Sequence, residues 1–190
     1  MTIDYFDELE VINNTLTSGG IILYPTDTIW GIGCDVFQLE AVEKIYNIKK
    51  RPRELPFVLL VSSIEMLKTY ANIHPRLETL MVYHKKPLTL IYEEVDSLPE
   101  SILSEDGTIA MRVANDPFCQ LIIEELGSPL VSTSANLSGQ QFPKHFDEVT
   151  GDILRHMDYI VQHRQDDKEE RLPSVMAEFN KKGELLFIRE

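Results

Sequence analysis

The chain has 190 residues, of which 43% are hydrophobic and 26% are charged. That length and composition suffice for one packed core and exclude a mainly disordered, collagen-like or coiled-coil chain. With 18 basic and 31 acidic residues, the formal net charge is −13, which disfavours non-specific binding to nucleic-acid phosphates.

The N-terminal segment and the cysteines indicate the compartment. Residues 1–12 carry acidic side chains and lack the apolar stretch of a signal peptide. No apolar run approaches the ~20 residues needed to cross a bilayer. Cys34 and Cys119 form no CxxC motif, and the histidines show no zinc-ligand spacing. We therefore expect a cytoplasmic protein with no membrane contact and a single domain over residues 1–190.

Hydrophobic periodicity and turn residues predict alternating helices and strands. In the first half these are a helix over 4–18, a strand over 21–24, a helix over 38–50 ended by Pro52, a strand over 57–61, a helix over 62–70 with Ser62 and Glu65 as capping box, and a helix after Pro75.

In the second half they are strands over 88–92 and 108–113, a helix from Asp116 to Gly127, a short strand over 130–131, a helix near 145–156, and strands over 159–161, 174–179 and 185–188. Residues 162–171 are polar throughout, which is typical of a solvated loop. Because the two element types alternate, we predict an α/β fold with a mixed central sheet flanked by helices.

The first candidate site is the segment from Tyr24 to Gly33, Tyr-Pro-Thr-Asp-Thr-Ile-Trp-Gly-Ile-Gly. It follows a buried strand directly, and ligands bind at strand ends in α/β sheets. A turn in which the threonines and the aspartate satisfy their own backbone explains the same composition. Both interpretations stay open on the residues alone.

The second candidate is Lys49-Lys50-Arg51-Pro52-Arg53, with four cations in five residues of an acidic chain. Cations at a helix C-terminus are stabilised by the macrodipole, by about 0.3–1 kcal/mol each. Alternatively, a lysine and an arginine fork can clamp phosphates. The local reversal of charge favours the clamp, and we expect Lys49 and Arg51 to be surface or cleft cations.

Two further clusters complete the pattern. Alternation along a strand places Thr108, Ala110 and Arg112 on one face, where the arginine needs a carboxylate from the protein or from a substrate. Residues 132–139, Ser-Thr-Ser-Ala-Asn-Leu-Ser-Gly, are either a turn cluster or a neutral polar loop around a ligand. Ser134 lacks the sequence context of a nucleophile. A small anionic ligand with phosphate and carboxylate groups fits these four clusters. The clusters alone do not predict which reaction is catalysed.

Taken in order, these motifs resemble the YrdC/YciO family of threonylcarbamoyl-AMP synthases from Gly19 to Arg189. The matching elements are Gly19-Gly20, Tyr24–Gly33, Lys49-Lys-Arg-Pro, Lys86-Pro-Leu-Thr-Leu, Met111-Arg-Val and residues 132–139. The resemblance implies a twisted mixed sheet with a concave cleft. It also implies an enzyme that converts L-threonine, bicarbonate and ATP, with Mg²⁺, into threonylcarbamoyl-AMP and pyrophosphate. A downstream transferase complex would then modify tRNA.

The resemblance also implies residue roles. These are Lys49 and Arg51 as catalytic residues at the nucleotide phosphates and bicarbonate; Thr28, Arg112, Ser132 (through its backbone) and Ser174 at threonine; and Thr108, Ser134, Asn136 and Arg189 at the nucleotide. The metal ligands stay open, with Asp27 and Asp35 as the candidate carboxylates on the metal side. The chain departs from the family pattern at Leu55, Leu60, Phe142 and Val175, and in the polar segment 162–171.

Two alternatives remain open. A YciO-like paralogue would hydrolyse threonylcarbamoyl-AMP or a related adenylate, and the departures from the family pattern leave room for it. A binding module for double-stranded RNA or tRNA would need a basic stripe wider than residues 49–53, which the net charge of −13 disfavours.

Overall fold

The computed structural model describes residues 5–93, 95–179 and 184–189, and of Arg189 it describes the backbone alone. In this part the α-helices are Tyr5–Thr17 (α1), Leu39–Lys49 (α2), Ile64–Lys68 (α3), Pro75–Tyr83 (α4), Pro117–Leu126 (α5) and Gly151–Leu154 (α6), with short 3-10 helices at Glu100–Ile102 and Phe146–Glu148. None of these described helices has the length and apolar character to cross a membrane.

The strands are Ile22–Tyr24 (β1), Gly31–Asp35 (β2), Val58–Val61 (β3), Leu88–Tyr92 (β4), Ile109–Val113 (β5), Leu130–Ser134 (β6), Tyr159–Ile160 (β7), Val175–Phe179 (β8) and Leu185–Arg189 (β9). They form one sheet in the order β7-β1-β2-β6-β3-β5-β4-β8-β9. The pairs β1/β7, β3/β5 and β4/β8 are parallel, and the other neighbours are antiparallel. The predicted α/β fold with a mixed sheet is confirmed.

Both faces of the sheet carry a hydrophobic core, because successive residues of a strand point to opposite sides. On one face, residues of α1 and α5 form a cluster with Ile22, Tyr24 and Leu60. On the other face, residues of α2 form a cluster with Leu23 and Leu59. The first face continues past α1 and α5 onto β5, β4 and β8, where a cavity opens.

Strand β2 has no counterpart among the predicted strands. It lies between β1 and β6 with every residue buried. Its sequence, Gly-Ile-Gly-Cys-Asp, offers neither a run of β-branched residues nor an alternation of polar and apolar residues. Its partner β6 runs to Ser134 rather than ending at Val131, since Ser132–Ser134 pair with residues 31–33.

Two helix predictions need correction. Ser63, and not Ser62, caps α3, because its side chain accepts a hydrogen bond from the Met66 amide at 3.1 Å. The single helix predicted near 145–156 is wrong, because Val149 and Thr150 are extended and separate the 3-10 turn from α6.

Candidate functional site

A cavity of about 410 Å³ opens on the sheet face beyond α1 and α5. Its volume lies within the range of small-molecule sites. Seven residues that the sequence predicts for the site line it, namely Thr28, Arg51, Thr108, Arg112, Ser132, Ser134 and Ser174. The fold therefore brings into one space residues that are up to 146 positions apart, from Thr28 to Ser174.

The floor of the cavity is a row of register partners across four strands. Ser132 pairs with Val58, Val58 with Ala110, and Ala110 with Ile91. Partners in a row share one face, and the small side chains of Ser132 and Ala110 leave the volume open. The predicted placement of Thr108, Ala110 and Arg112 on one face is confirmed by their common contact with the cavity.

The segment after β1 fits both interpretations of its sequence. The Thr26 hydroxyl donates to the Ile29 carbonyl at 2.8 Å and accepts from the Thr28 amide at 3.0 Å, which fixes the turn. The Thr28 hydroxyl lies 2.9 Å from that of Thr26, and both residues line the cavity. The turn therefore places the Thr28 side chain at the ligand space.

The glycines of β2 make room for Tyr24. A Cβ atom at Gly33 would lie 2.8 Å from Cε1 of Tyr24 and 2.7 Å from the Val131 carbonyl oxygen. A Cβ atom at Gly31 would lie 3.3 Å from the same ring carbon. The ring thus crosses β2, and its hydroxyl donates to Oγ of Ser132 on β6 at 2.8 Å.

We expect Gly33→Ala to lower the free energy of unfolding by about 2–3 kcal/mol, because neither the buried ring nor the backbone oxygen can yield cheaply. Urea unfolding measures the change. Gly151→Ala is the matched control, since a Cβ there meets nothing within 4 Å and the residue begins α6. Equal stability of the two variants would contradict the close approach of Tyr24 to β2.

The cationic cluster separates at the end of α2. Lys49 is only 1% exposed and is not one of the residues that line the cavity. Its ammonium donates to the carbonyls of Ser134 and Asn136, the latter at 2.6 Å, and its own carbonyl accepts from the Ser138 amide at 2.9 Å. Lys49 therefore holds the end of β6 and the loop that follows it. The expectation that Lys49 is a surface or cleft cation is wrong. Its contact with phosphates stays a prediction.

Burial lowers the pKa of Lys49 to about 7, and the positive charge of Arg51 adds to the shift. The unfolded chain, with the ordinary lysine pKa of 10.5, binds more protons at this residue than the folded chain does above pH 7. The free energy of unfolding should therefore rise with pH, by about 1–2 kcal/mol between pH 7 and 8.5. Burial raises the pKa of Cys34 and Cys119 above the ordinary value of 9.0, so their deprotonation in the unfolded chain opposes the rise, but only slightly below pH 8.5. Burial lowers the pKa of His163, which adds slightly to the rise.

Urea unfolding at several pH values tests this dependence. Lys49→Met should abolish the rise, whereas Lys50→Met should keep it, because Lys50 is exposed at the end of the same helix. A wild-type stability that is flat from pH 7 to 8.5, or a slope that survives Lys49→Met, would contradict the lowered pKa of Lys49.

Arg51 and Arg53 point in different directions. Arg51 lines the cavity, and its guanidinium donates to the carbonyls of Leu55 at 2.7 Å and Pro56 at 3.1 Å. These bonds use two of its five N–H donors. Arg53 instead pairs with the exposed Glu43 and lies 4.3 Å from the centre of the Tyr46 ring.

Arg112 has a protein carboxylate as partner. It forms a buried ion pair with Asp27, and both side chains are 6% exposed or less. The second oxygen of Asp27 accepts from the Asn115 amide at 3.2 Å, and the other Arg112 amino group lies 3.4 Å from the Thr28 hydroxyl. Arg112 still lines the cavity, so its contact with a substrate carboxylate stays a prediction.

Of the remaining predicted residues, Ser174 and Thr108 line the cavity. The Ser174 hydroxyl lies 2.8 Å from that of Thr89, a fully buried residue of the Lys86-Pro-Leu-Thr-Leu motif that had no assigned role. The Thr108 hydroxyl lies 2.7 Å from that of Ser104. Asn136 is in the loop that Lys49 holds. The Arg189 side chain falls outside the described part of the structure.

The four departures from the family pattern occupy different surroundings. Leu55 and Phe142 line the cavity and add apolar surface to it. Leu60 is fully buried in the core and pairs with Leu130 and Arg112 across the sheet. Val175 begins β8, opposite Leu88. Only the first two departures therefore border the ligand space.

The polar segment 162–171 is a loop that ion pairs fix to its neighbours. Arg164 lies 3.0 Å from Asp116 and donates to the Thr26 carbonyl at 3.2 Å. Lys168 lies 2.9 Å from Asp147. The loop is therefore attached to the turn that carries Thr28.

The acidic residues near the motifs do not form a metal site. Asp27 is held by Arg112, and Asp35 accepts from the Ser128 hydroxyl at 2.7 Å. Across residues 5–93, 95–179 and 184–189, no group of three or more histidine, cysteine, aspartate or glutamate side chains could hold a metal ion. The donor set does not fit a protein-held Mg²⁺, so we derive no step through one.

A family model and individual relatives both match this chain. The sequence model of a family described as "Telomere recombination" and labelled Sua5_yciO_yrdC matches residues 14–190. A threonylcarbamoyl-AMP synthase of Marinobacter nauticus is 35% identical over 139 residues, which cover 72% of this chain and 73% of that protein. One of Pseudoalteromonas translucida is 33% identical over 150 residues, covering 77% and 80%.

Two solved structures have the same fold as this chain. E. coli YciO superimposes with a TM-score of 0.83 at 24% identity, covering 100% of this chain and 91% of that chain. P. abyssi Sua5 complexed with L-threonine gives 0.77 at 22% identity, covering 94% of this chain and 52% of that chain. The present chain thus spans about half the length of that Sua5 chain.

Proposed function

This chain belongs to the Sua5/YciO/YrdC family, and we propose that it makes threonylcarbamoyl-AMP from L-threonine, bicarbonate and ATP. The observation that carries the proposal is the cavity itself, in which Arg51 and Arg112 border one space together with several serine and threonine residues. Two cationic groups suit a ligand with phosphates and a carboxylate. Relatives at 33–35% identity bear the name of this synthase.

The proposed reaction has two bond-forming steps. The threonine amine, after losing its extra proton to solvent, attacks the bicarbonate carbon, and water leaves as the carbamate forms. A carbamate oxygen then bonds to the α-phosphorus of ATP, and pyrophosphate departs with the electrons of the broken P–O bond. Because carbamate and triphosphate are both anionic, nearby cations must offset their repulsion.

The described residues suit a reaction that depends on positioning. We assign Arg51 to the phosphates, and Arg112 with Thr28 to the amino-acid substrate. Lys49 acts on the nucleotide side at least through the loop of Ser134 and Asn136, whose carbonyls its ammonium binds. No protein nucleophile is needed when the reactants are held together in line. Mg²⁺ enters as part of the MgATP substrate, since Mg²⁺ in such sites is held largely by substrate phosphates and water.

We further propose that the product passes to a transferase complex that modifies tRNA, without tight RNA binding by this chain. Several of its exposed cations pair with its own carboxylates, as in Lys68 with Glu78 at 2.6 Å and Lys144 with Glu170 at 3.1 Å. Such pairs reduce the positive charge that is free for phosphate contacts.

Pyrophosphate release from MgATP tests the proposal, with L-threonine and bicarbonate omitted in turn and the adenylate identified by mass spectrometry. We expect release only when both are present, together with threonylcarbamoyl-AMP. Consumption of added threonylcarbamoyl-AMP without its formation would overturn the synthase and favour the hydrolytic paralogue. Release that does not require threonine would also contradict the proposal.

A further inference from the structure

The hydroxyl of Tyr24 touches a residue of the proposed threonine site without lining the cavity itself. It donates to Oγ of Ser132 at 2.8 Å, and Ser132 borders the cavity. We infer that Tyr24 is a positioning residue, which directs the Ser132 hydroxyl proton toward an oxygen of the amino-acid substrate. This inference rests on the proposed function and adds to it a hydroxyl contact, where the family resemblance gives Ser132 a backbone contact only.

The position of Tyr24 is fixed by its surroundings. The residue is fully buried, and its ring lies against β2 at the two glycines, where any larger residue would displace it. Burial raises the pKa of the Tyr24 phenol, so the group stays protonated and remains a donor at every pH at which the protein would act. A fixed neutral donor gives Ser132 one preferred orientation.

The chemistry of a serine hydroxyl explains the effect. The group has one proton to donate and two lone pairs to accept with. Because Tyr24 donates to Oγ, one lone pair is occupied, and the Ser132 proton is available to an acceptor in the cavity. The acceptors of L-threonine are its carboxylate and its hydroxyl. The Tyr24–Ser132 pair therefore favours an acceptor oxygen over an apolar group at that position.

Tyr24→Phe keeps the ring and removes only the hydroxyl. Isothermal titration calorimetry should show the dissociation constant of L-threonine rising about fivefold to tenfold, the effect of one well-placed hydrogen bond. The affinity for MgATP should remain within twofold of wild type. Tyr92→Phe is the matched control, since Tyr92 is also buried and, among the described residues, its hydroxyl contacts only Sδ of Met81, at 3.7 Å. Its threonine affinity should not change.

A double-mutant cycle with Ser132→Ala separates positioning from general structure. If Tyr24 acts through Ser132, then Tyr24→Phe should have no further effect on threonine affinity once Ser132 is alanine. A merely structural role would weaken binding equally in both backgrounds. Additive effects, or a Tyr24→Phe protein that binds L-threonine like the Tyr92→Phe control, would overturn the inference.

The failure of this inference and that of the proposed function are distinguishable. Normal threonine binding by the wild type with no effect of Tyr24→Phe overturns only the positioning role. No binding of L-threonine by the folded wild type, with MgATP and bicarbonate present or absent, overturns the proposed function and with it the ligand assigned to Ser132.

Discussion

Arg51→Ala is expected to reduce pyrophosphate release by about 10²–10³-fold, the usual effect of removing one charge-stabilising donor from a phosphoryl-transfer site. The guanidinium borders the cavity and keeps donors beyond the two that bind the Leu55 and Pro56 carbonyls. The same substitution should lower the free energy of unfolding by only about 1 kcal/mol, because those two hydrogen bonds are the main structural loss.

Arg53→Ala is the matched control for this prediction. Arg53 lies two positions further along, carries the same charge, and pairs with Glu43 at the surface instead of facing the cavity. Its removal should change turnover by less than twofold. Arg51→Lys should restore part of the activity, since a lysine supplies a point charge but not the fork. An Arg51→Ala enzyme as active as Arg53→Ala would exclude Arg51 from the phosphate site.

The sequence predicts the elements whose signals are local. The apolar runs of β1, β3 and β4 and the Asp116-Pro117 start of α5 are such signals, and the structure confirms them. Strand β2 is not predicted from its sequence because Gly31 and Gly33 leave space for the ring of Tyr24 on the neighbouring strand. That requirement is met across the sheet and leaves no periodic pattern in β2 itself.

Burial of Lys49 could not be predicted from its neighbours in the chain. A lysine at the end of a helix, followed by Lys50 and Arg51, has the composition of an exposed C-terminus. Its acceptors, Ser134 and Asn136, lie 85 and 87 positions away. The expectation that Lys49 is a surface or cleft cation fails for this reason. Only the pairing of β6 with β2 and β3 brings that loop to the end of α2.

The partner of Arg112 is a similar case. The residues alone show that an arginine on an apolar strand needs an anion, and they favour a protein carboxylate while leaving a substrate carboxylate open. Asp27 lies 85 positions earlier. Its sequence neighbours there are also those of an ordinary turn, in which the threonines and the aspartate bond to their own backbone. Arg112 forms a buried pair with Asp27 and also borders the cavity. A protein carboxylate and a substrate carboxylate are therefore compatible as partners of the same arginine.

Arg112→Ala should lower the free energy of unfolding by about 3–5 kcal/mol, because it leaves the carboxylate of Asp27 buried without its counter-charge. Within the described part of the chain, the Asp27 carboxylate would keep only the hydrogen bond from the Asn115 amide. The same variant should lose measurable affinity for L-threonine. On its own, however, a destabilised protein does not separate a binding role from a structural one.

The double variant Asp27→Asn with Arg112→Met makes that separation. It removes both charges and retains most of the volume, so stability should return to within about 1–2 kcal/mol of wild type. Urea unfolding and calorimetry with L-threonine measure the two properties on the same protein. We expect stability to recover while threonine binding stays at least tenfold weaker, because nothing then replaces the guanidinium facing the cavity. If binding recovers along with stability, Arg112 stabilises the turn that carries Thr28 and does not meet the substrate carboxylate.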